Sequence, residues 1–360
     1  MTKAEAPRPD GDDSPENQSG GRVAPAPHPF AKWMRPSTNA GKARRNWEEA
    51  EDEHHWLQLL REAEARREDA PPASYFPPEL TAPPAPGDGP DPHLFREQGW
   101  AMRGPLLSSG EVKRLAFLGD TVRNAGWPRV FAYLYEDTWQ ILRAASLHET
   151  LRDWLGKGHR QLPGLWFHHV AAVAGARGWG PHVDSPRTAT FDPEGRPDRL
   201  TIWMPLVDVD ATRACIFLVP PQENAADLPQ RVLQDAHIPM DMMLRLMHVS
   251  QPVPCKAGSL VAWRPDVLHW GGIHHGLGGP RGALSLEFIR AGVAREPEEE
   301  LSLACDKIPD FATRLYLVAR GLLAYGKSSE REPHAYSFLN WGESVYRRYQ
   351  AAAMRESLRV

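Results

Sequence analysis

The chain has 360 residues, 41% of them hydrophobic, and a formal net charge of −4. That is enough apolar material for a sizeable core, and it leaves no basic field to attract nucleic acid. Cys215, Cys255 and Cys305 are spaced too widely for a disulfide framework or a C-x-x-C metal pair, and no apolar run approaches the roughly 18 residues a bilayer span needs, so a reducing, cytoplasmic setting with no membrane partner is expected.

Residues 1–92 hold 16 of the 35 prolines. Proline at that density breaks regular structure and buries little, so this stretch is predicted to be a largely disordered extension. It begins "MTKAEAPRPDGDDSPENQSGG", without the apolar core of a secretory signal. One helix is expected inside it, over 46–69, where Trp56, Leu57, Leu60 and Ala63 form a narrow apolar stripe. Such a helix either stays mostly solvated or docks, on the main domain or on a protein partner; solvation is the expected state. "PPASYFPPELTAPPAPGDGPDP" then reads as a linker.

A folded domain is predicted over 93–292. Ser108 with Glu111, and Ser146 with Glu149, have capping-box spacing ahead of apolar helical runs. From Gly164 the texture turns to β, in "GLWFHHVAAVAG", "RLTIWMPLVDV", "CIFLVP", "GSLVAW" and "ALSLEFIR", separated by turn residues. The predicted class is mainly β with flanking helices (α+β), an antiparallel sandwich or barrel. Asp208 and Asp210 read as strand-ending turn residues. Met240, Met243 and Met247 fall at helical spacing, with core packing expected over a role as a lid. Residues 293–360 form a predicted helical extension packed on the core, with Phe311, Leu315, Val318, Leu322 and Tyr325 on one stripe. "GLLAYGKS", 321–328, matches the phosphate-loop pattern, but it ends an amphipathic helix with bulky residues where a phosphate would have to sit. Gly326 therefore reads as a helix C-cap, not part of a nucleotide site.

The chemistry concentrates in "GWGPHVDSPRT", 178–188. If the segment is extended, His182 and Asp184 project to one face. Chance alone supplies about one such H-x-D in a chain with this many histidines, so a third ligand is needed. His269, in "RPDVLHWGG", is the candidate. Two histidines and a carboxylate form the facial triad of non-heme Fe(II) sites, with positions left for O2 and a chelating organic acid. Further on, Arg281, Ala283, Ser285 and Glu287 share one face of a strand, and Leu284, Leu286 and Phe288 the other. Arg281 can hold a remote carboxylate through its guanidinium fork, while the apolar face packs beneath helices. His168, His274 and His275 are weaker candidates for pocket contacts.

The order H-x-D, distal His, then Arg resembles the Fe(II)/2-oxoglutarate dioxygenases of the phytanoyl-CoA dioxygenase type. So do "FREQGWAMRGPLLSSGEVKRL", "RLTIWMPLVDVDATRACIFLVP", "PVPCKAGSLVAWRPDVLHWGG" and "RGALSLEF". The resemblance covers roughly 93–292. It implies a double-stranded β-helix core of jelly-roll, cupin-like form. His182, Asp184 and His269 would ligate Fe(II), Arg281 would bind 2-oxoglutarate, and Trp203 would line the cosubstrate pocket. It also implies O2 as cosubstrate, ascorbate as a compatible reductant, and hydroxylation of an unactivated carbon in a small-molecule or acyl substrate, with release of succinate and CO2. "RAC", "PPQEN" and "WGGIHHGLGG" depart from the family's usual turns. The alternative reading is a catalytically inactive binding or regulatory protein that kept the fold.

Overall fold

Residues 47–66, 92–221, 239–294, 302–326 and 338–357 are described by the structure, a computed structural model. Among these residues, eight strands form two antiparallel sheets: β1 (Trp100–Arg103), β2 (Arg160–Val170), β3 (Arg199–Pro205), β4 (Ile216–Leu218), β5 (Gln251–Val253), β6 (Leu260–Trp263), β7 (His269–Gly271) and β8 (Arg281–Ile289). The larger sheet has the order β1-β6-β3-β8-β2 and the smaller β5-β4-β7.

Register decides what each face of the large sheet carries. Ser285 lies opposite both Trp203 and Trp166, Glu287 opposite Thr201, and Thr201 opposite Trp263. Directly opposed residues share a face, and while Trp166, at the far edge of that face, packs on Tyr325, Thr201, Trp203, Trp263, Ser285 and Glu287 point toward the smaller sheet. There Trp203, Val261 and Trp263 pack with Ile216, Leu218 and Val253. The two sheets thus close on one another as a double-stranded β-helix. On the other face Leu284, Leu286 and Phe288 join Leu200 and Ile202 in one core with the helices. The apolar side of β8 does pack beneath helices. Those helices are α3 (His93–Glu97), α4 (Ser109–Asn124), α5 (Glu136–Leu142), α6 (Ala145–Leu155) and, after the barrel, α8 (Phe311–Tyr325) and α9 (Leu339–Ser357).

Ser108 caps α4 with the full capping box to Glu111. The second expected box is absent. Ser146 lies inside α6, whose N-cap is Ala144, and its buried hydroxyl donates to the Leu106 carbonyl. The methionines also differ from expectation. In α7 (Met240–Val249) the buried residues are Met242 and Leu246, whereas Met240 and Met247 are 73% and 68% exposed. The apolar stripe that packs is rotated away from the one expected. The first glycine of the phosphate-loop match, Gly321, sits mid-helix in α8, where a Cβ would lie 3.0 Å from the Leu165 carbonyl of β2. It is a packing glycine, and Gly326 is the C-cap.

The expected N-terminal helix is two: α1 (Trp47–Glu51) and α2 (Glu53–Ala65), divided at Asp52, whose side chain accepts the His54 N–H. It is not mostly solvated. Trp56, 1% exposed, packs at 5.0 Å on Trp127 and 5.4 Å on Phe131 between ring centroids. Glu64 pairs with buried Arg114 and Glu53 with buried Arg314, each at 2.7 Å. The proline-rich stretches on either side, for which disorder was expected, lie outside the described residues. Trp56→Ala is expected to cost about 3–5 kcal/mol, as loss of a large buried aromatic does. Urea denaturation measures this, and the binding of ligands in the barrel should be unchanged in the folded variant. No helix among the described residues is long and apolar enough to cross a membrane.

Candidate active site

Between the two sheets lies a cleft of about 530 Å³ that opens to solvent. His182, Asp184, Trp203, His269 and Arg281 all line it.

His182 and His269 are 87 residues apart in sequence, yet they form a mutual backbone pair. Each N–H donates to the other's carbonyl, at 3.0 and 2.9 Å. As opposed residues of an antiparallel bridge they present their side chains on one face, with ring centroids 4.2 Å apart. His182 Nδ1 lies 2.7 Å from the Gly180 carbonyl and His269 Nδ1 2.9 Å from that of Val267. A carbonyl only accepts, so both hydrogens sit on Nδ1 and both Nε2 atoms keep a lone pair. Asp184 Oδ1 lies 3.7 Å from His182 Nε2 and 3.6 Å from His269 Nε2.

The second carboxylate oxygen is already committed. Oδ2 accepts from Thr201 Oγ1 at 2.7 Å and from Trp263 Nε1 at 2.9 Å. Thr201 and Trp263 are register partners on β3 and β6, so two adjacent strands aim donors at one oxygen. Asp184 is exposed as a residue, but its side chain is only 21% accessible, because the carboxylate turns into the cleft while the backbone meets solvent. Burial raises its pKa. The charge of the His269 and His182 imidazoles when protonated, together with the two hydrogen bonds from Thr201 and Trp263, outweighs burial and holds the pKa below the ordinary carboxylate value. An ionised oxygen and two imidazole lone pairs converge, with every outward atom held: this donor set fits a divalent transition-metal ion.

Arg281 opens β8 and is 2% exposed. Its Nε donates to the Ala214 carbonyl at 3.2 Å, and the guanidinium lies 5.4 Å from the centre of the Trp203 ring. Room for it comes from two glycines. A Cβ on Gly178 would sit 2.4 Å from the Gly271 Cα and 3.1 Å from the arginine's Nη2. The Trp203 Nε1 is buried with no hydrogen-bond partner among the described residues, which leaves a donor free at the cleft wall.

Several cleft residues were not predicted from sequence. Thr201 and Trp263 are two, and the signal for them lies only in the strand register. Tyr325, at the end of α8, reaches in from the C-terminal region and donates to Glu287 Oε1 at 3.0 Å. Burial, with Glu287 beside it, holds that phenol well above its usual pKa, so it remains a donor. Glu287 in turn requires Gly164, since a Cβ there would fall 2.3 Å from the carboxylate. His168 also lines the cleft, 2.9 Å from Ser285 Oγ. Burial, and then the positive charge of Arg281, hold it well below the usual imidazole value, so it stays neutral. His274 and His275 do not line the cleft. His274 is fully buried in its own loop, accepting from the Gly276 N–H and facing the Gly279 carbonyl, and His275 is exposed. Asp208 and Asp210 hold turns, through Ala257 and Lys256 and through Thr212 and Arg213 respectively.

Comparison with known proteins gives one family match: the family described as phytanoyl-CoA dioxygenase matches residues 97–283, just over half the chain. A comparison with curated proteins gave no match. Among solved structures, the chain is similar to HygX from Streptomyces hygroscopicus, with nickel and 2-oxoglutarate bound, at 14% identity and a TM-score of 0.46, covering 59% of this chain and 91% of that one. It is also similar to the α-ketoglutarate-dependent epimerase SnoN of nogalamycin biosynthesis, at 18% identity and 0.41, covering 58% and 85%. The carbocyclase SnoK of the same biosynthesis overlaps at 17% identity and 0.40, covering 56% and 83%.

Proposed function

The chain belongs to the phytanoyl-CoA dioxygenase family and is a non-heme Fe(II)/2-oxoglutarate-dependent oxygenase, and from that premise we propose that His182, Asp184 and His269 hold the iron while Arg281 and Trp203 receive 2-oxoglutarate. The observation that carries the assignment is the locked donor set. Both imidazoles are fixed through Nδ1 to backbone carbonyls and Asp184 through Oδ2 to Thr201 and Trp263, so the two Nε2 atoms and Oδ1 are turned toward one another. All three donors are present, which favours turnover over an inactive, fold-only role.

Ferrous iron with 2-oxoglutarate and O2 supplies the oxidation of an unactivated carbon, with succinate and CO2 released. The protein's part is placement. Arg281, buried and backed by Trp203, offers a guanidinium fork to the far carboxylate of the cosubstrate. The Trp203 indole N–H adds a free donor on the same wall. Tyr325 and Glu287 on one side, and neutral His168 with Ser285 on another, supply polar contacts that can orient a small-molecule substrate. Hydroxylation is the proposed outcome, with the ionised Asp184 holding a ligand position against any added anion.

The test is direct. The purified chain, given Fe(II) and 2-oxoglutarate without O2, should develop the visible metal-to-cosubstrate charge-transfer band. On adding O2 it should form succinate, faster with a suitable member of a small-molecule panel, whose product should have gained one oxygen. Absence of both the band and succinate would refute the assignment. The outward anchors give a graded check: Thr201→Val and Trp263→Phe should each weaken iron binding about 10–100-fold, the usual effect of losing a partner that orients a metal ligand. Equilibrium dialysis against iron measures it.

A further inference from the structure

Away from the cleft, two histidines and a cysteine meet. His148 lies on α6, His159 immediately precedes β2, and Cys305 follows β8, two residues after Leu303, which bridges to Gln161. His148 Nε2 is 3.0 Å from the Leu142 carbonyl, and His159 Nδ1 is 3.1 Å from that of Gly156. Each of these nitrogens must carry the hydrogen, because a carbonyl only accepts. In a neutral ring the other nitrogen then presents a lone pair. Those other nitrogens, His148 Nδ1 and His159 Nε2, face one another at 3.4 Å.

Two acceptors cannot satisfy each other, so the contact calls for a cation between them. A shared proton would serve the nitrogens alone. The Cys305 sulfur lies beside them, within 4.8 Å of a ring nitrogen of each histidine, and as a thiol it sits 3.6 Å from the His159 carbonyl, to which it can donate. The spacing also fits a metal. With metal–nitrogen bonds of about 2.0–2.1 Å, two imidazole nitrogens on a tetrahedral ion lie about 3.3–3.4 Å apart. Nitrogen and sulfur donors suit zinc and its borderline-soft neighbours, not the hard cations magnesium and calcium. His148 and Cys305 are half-buried and His159 is buried.

We propose that His148, His159 and Cys305 form a second metal site, for a zinc-type cation, that ties α6, the start of β2 and the segment after β8 together. It does not depend on the iron assignment, and the experiment keeps the two apart. The full chain carrying His182→Ala and Asp184→Ala, which empties the cleft of two donors, is titrated with Co(II). One equivalent should bind with a thiolate-to-cobalt charge-transfer band in the near ultraviolet, and zinc should displace it. Cys305→Ser should abolish the band and His148→Gln weaken cobalt binding at least about tenfold, whereas Cys215→Ser and Cys255→Ser should leave both intact. Zinc should also raise the melting temperature of the chain, but not of its Cys305→Ser form, since a ligand of the native state stabilises it. A folded chain with no sulfur band, or a band that survives Cys305→Ser, would overturn the proposal. In the first case the histidines share a proton and nothing more.

Discussion

Asp184→Ala should reduce succinate formation by well over 100-fold and abolish tight iron binding, with the chain still folded. The scale follows from comparison. Removing a partner that only orients a ligand costs roughly 10–100-fold, and this change removes the anionic ligand itself along with the purpose of both its partners. It also removes the charge that offsets the metal's own. The loss of stability should be smaller, because Asp184 is exposed through its backbone. The Thr201 and Trp263 donors would lose their acceptor, at about 1–3 kcal/mol if water cannot replace it. Iron content, single-turnover succinate yield and a urea melt on the same preparation separate these effects. A His275→Ala control, altering an exposed imidazole of the neighbouring loop, should retain most of the activity. If the Asp184 variant kept its iron and its turnover, the ligand set proposed here would be wrong.

The second large effect belongs to Arg281→Leu. The guanidinium is 2% exposed, and a cosubstrate carboxylate brought to it would be a charge pair largely withdrawn from water. Truncating one partner of such a pair costs about 2–5 kcal/mol, and 1.4 kcal/mol is tenfold. The expected result is a rise in the KM for 2-oxoglutarate of about 30-fold or more, while iron affinity without cosubstrate stays near that of the parent. Lysine should rescue poorly, since a point charge does not reproduce a two-pronged fork. Equal losses of iron and cosubstrate affinity would instead mark Arg281 as a structural prop for β7 and β8.

What the sequence disclosed, and what it withheld, follows from the range of the interactions. The two faces of β8 were legible because alternation is local, and both Arg281 and the Leu284 side landed where the period of two places them. His182 and Asp184 were legible as a pair for the same reason. His269 was named as the third ligand from its place after the β-type segment and from the family resemblance, and its bridge to His182 supplies the physical reason the two face each other. Thr201 and Trp263 could not be read at all, since nothing in either strand says which carboxylate the opposite register will supply. Ser146 misled because S-x-x-E occurs within helices as well as at their start. The charges of α2 looked like a solvated face because their partners, Arg114 and Arg314, are buried cations far away in sequence. His148, His159 and Cys305 have no spacing that marks them, and only the packing of α6 against the strand entrance brings them together.

Tyr325 lies well past residue 283, where the family match ends, yet it forms part of the cleft wall. On the assignment proposed above, the metal ligands and one wall of the cleft therefore come from different stretches of the chain. Changing the cleft's wall from the tail would then leave the proposed iron ligands untouched.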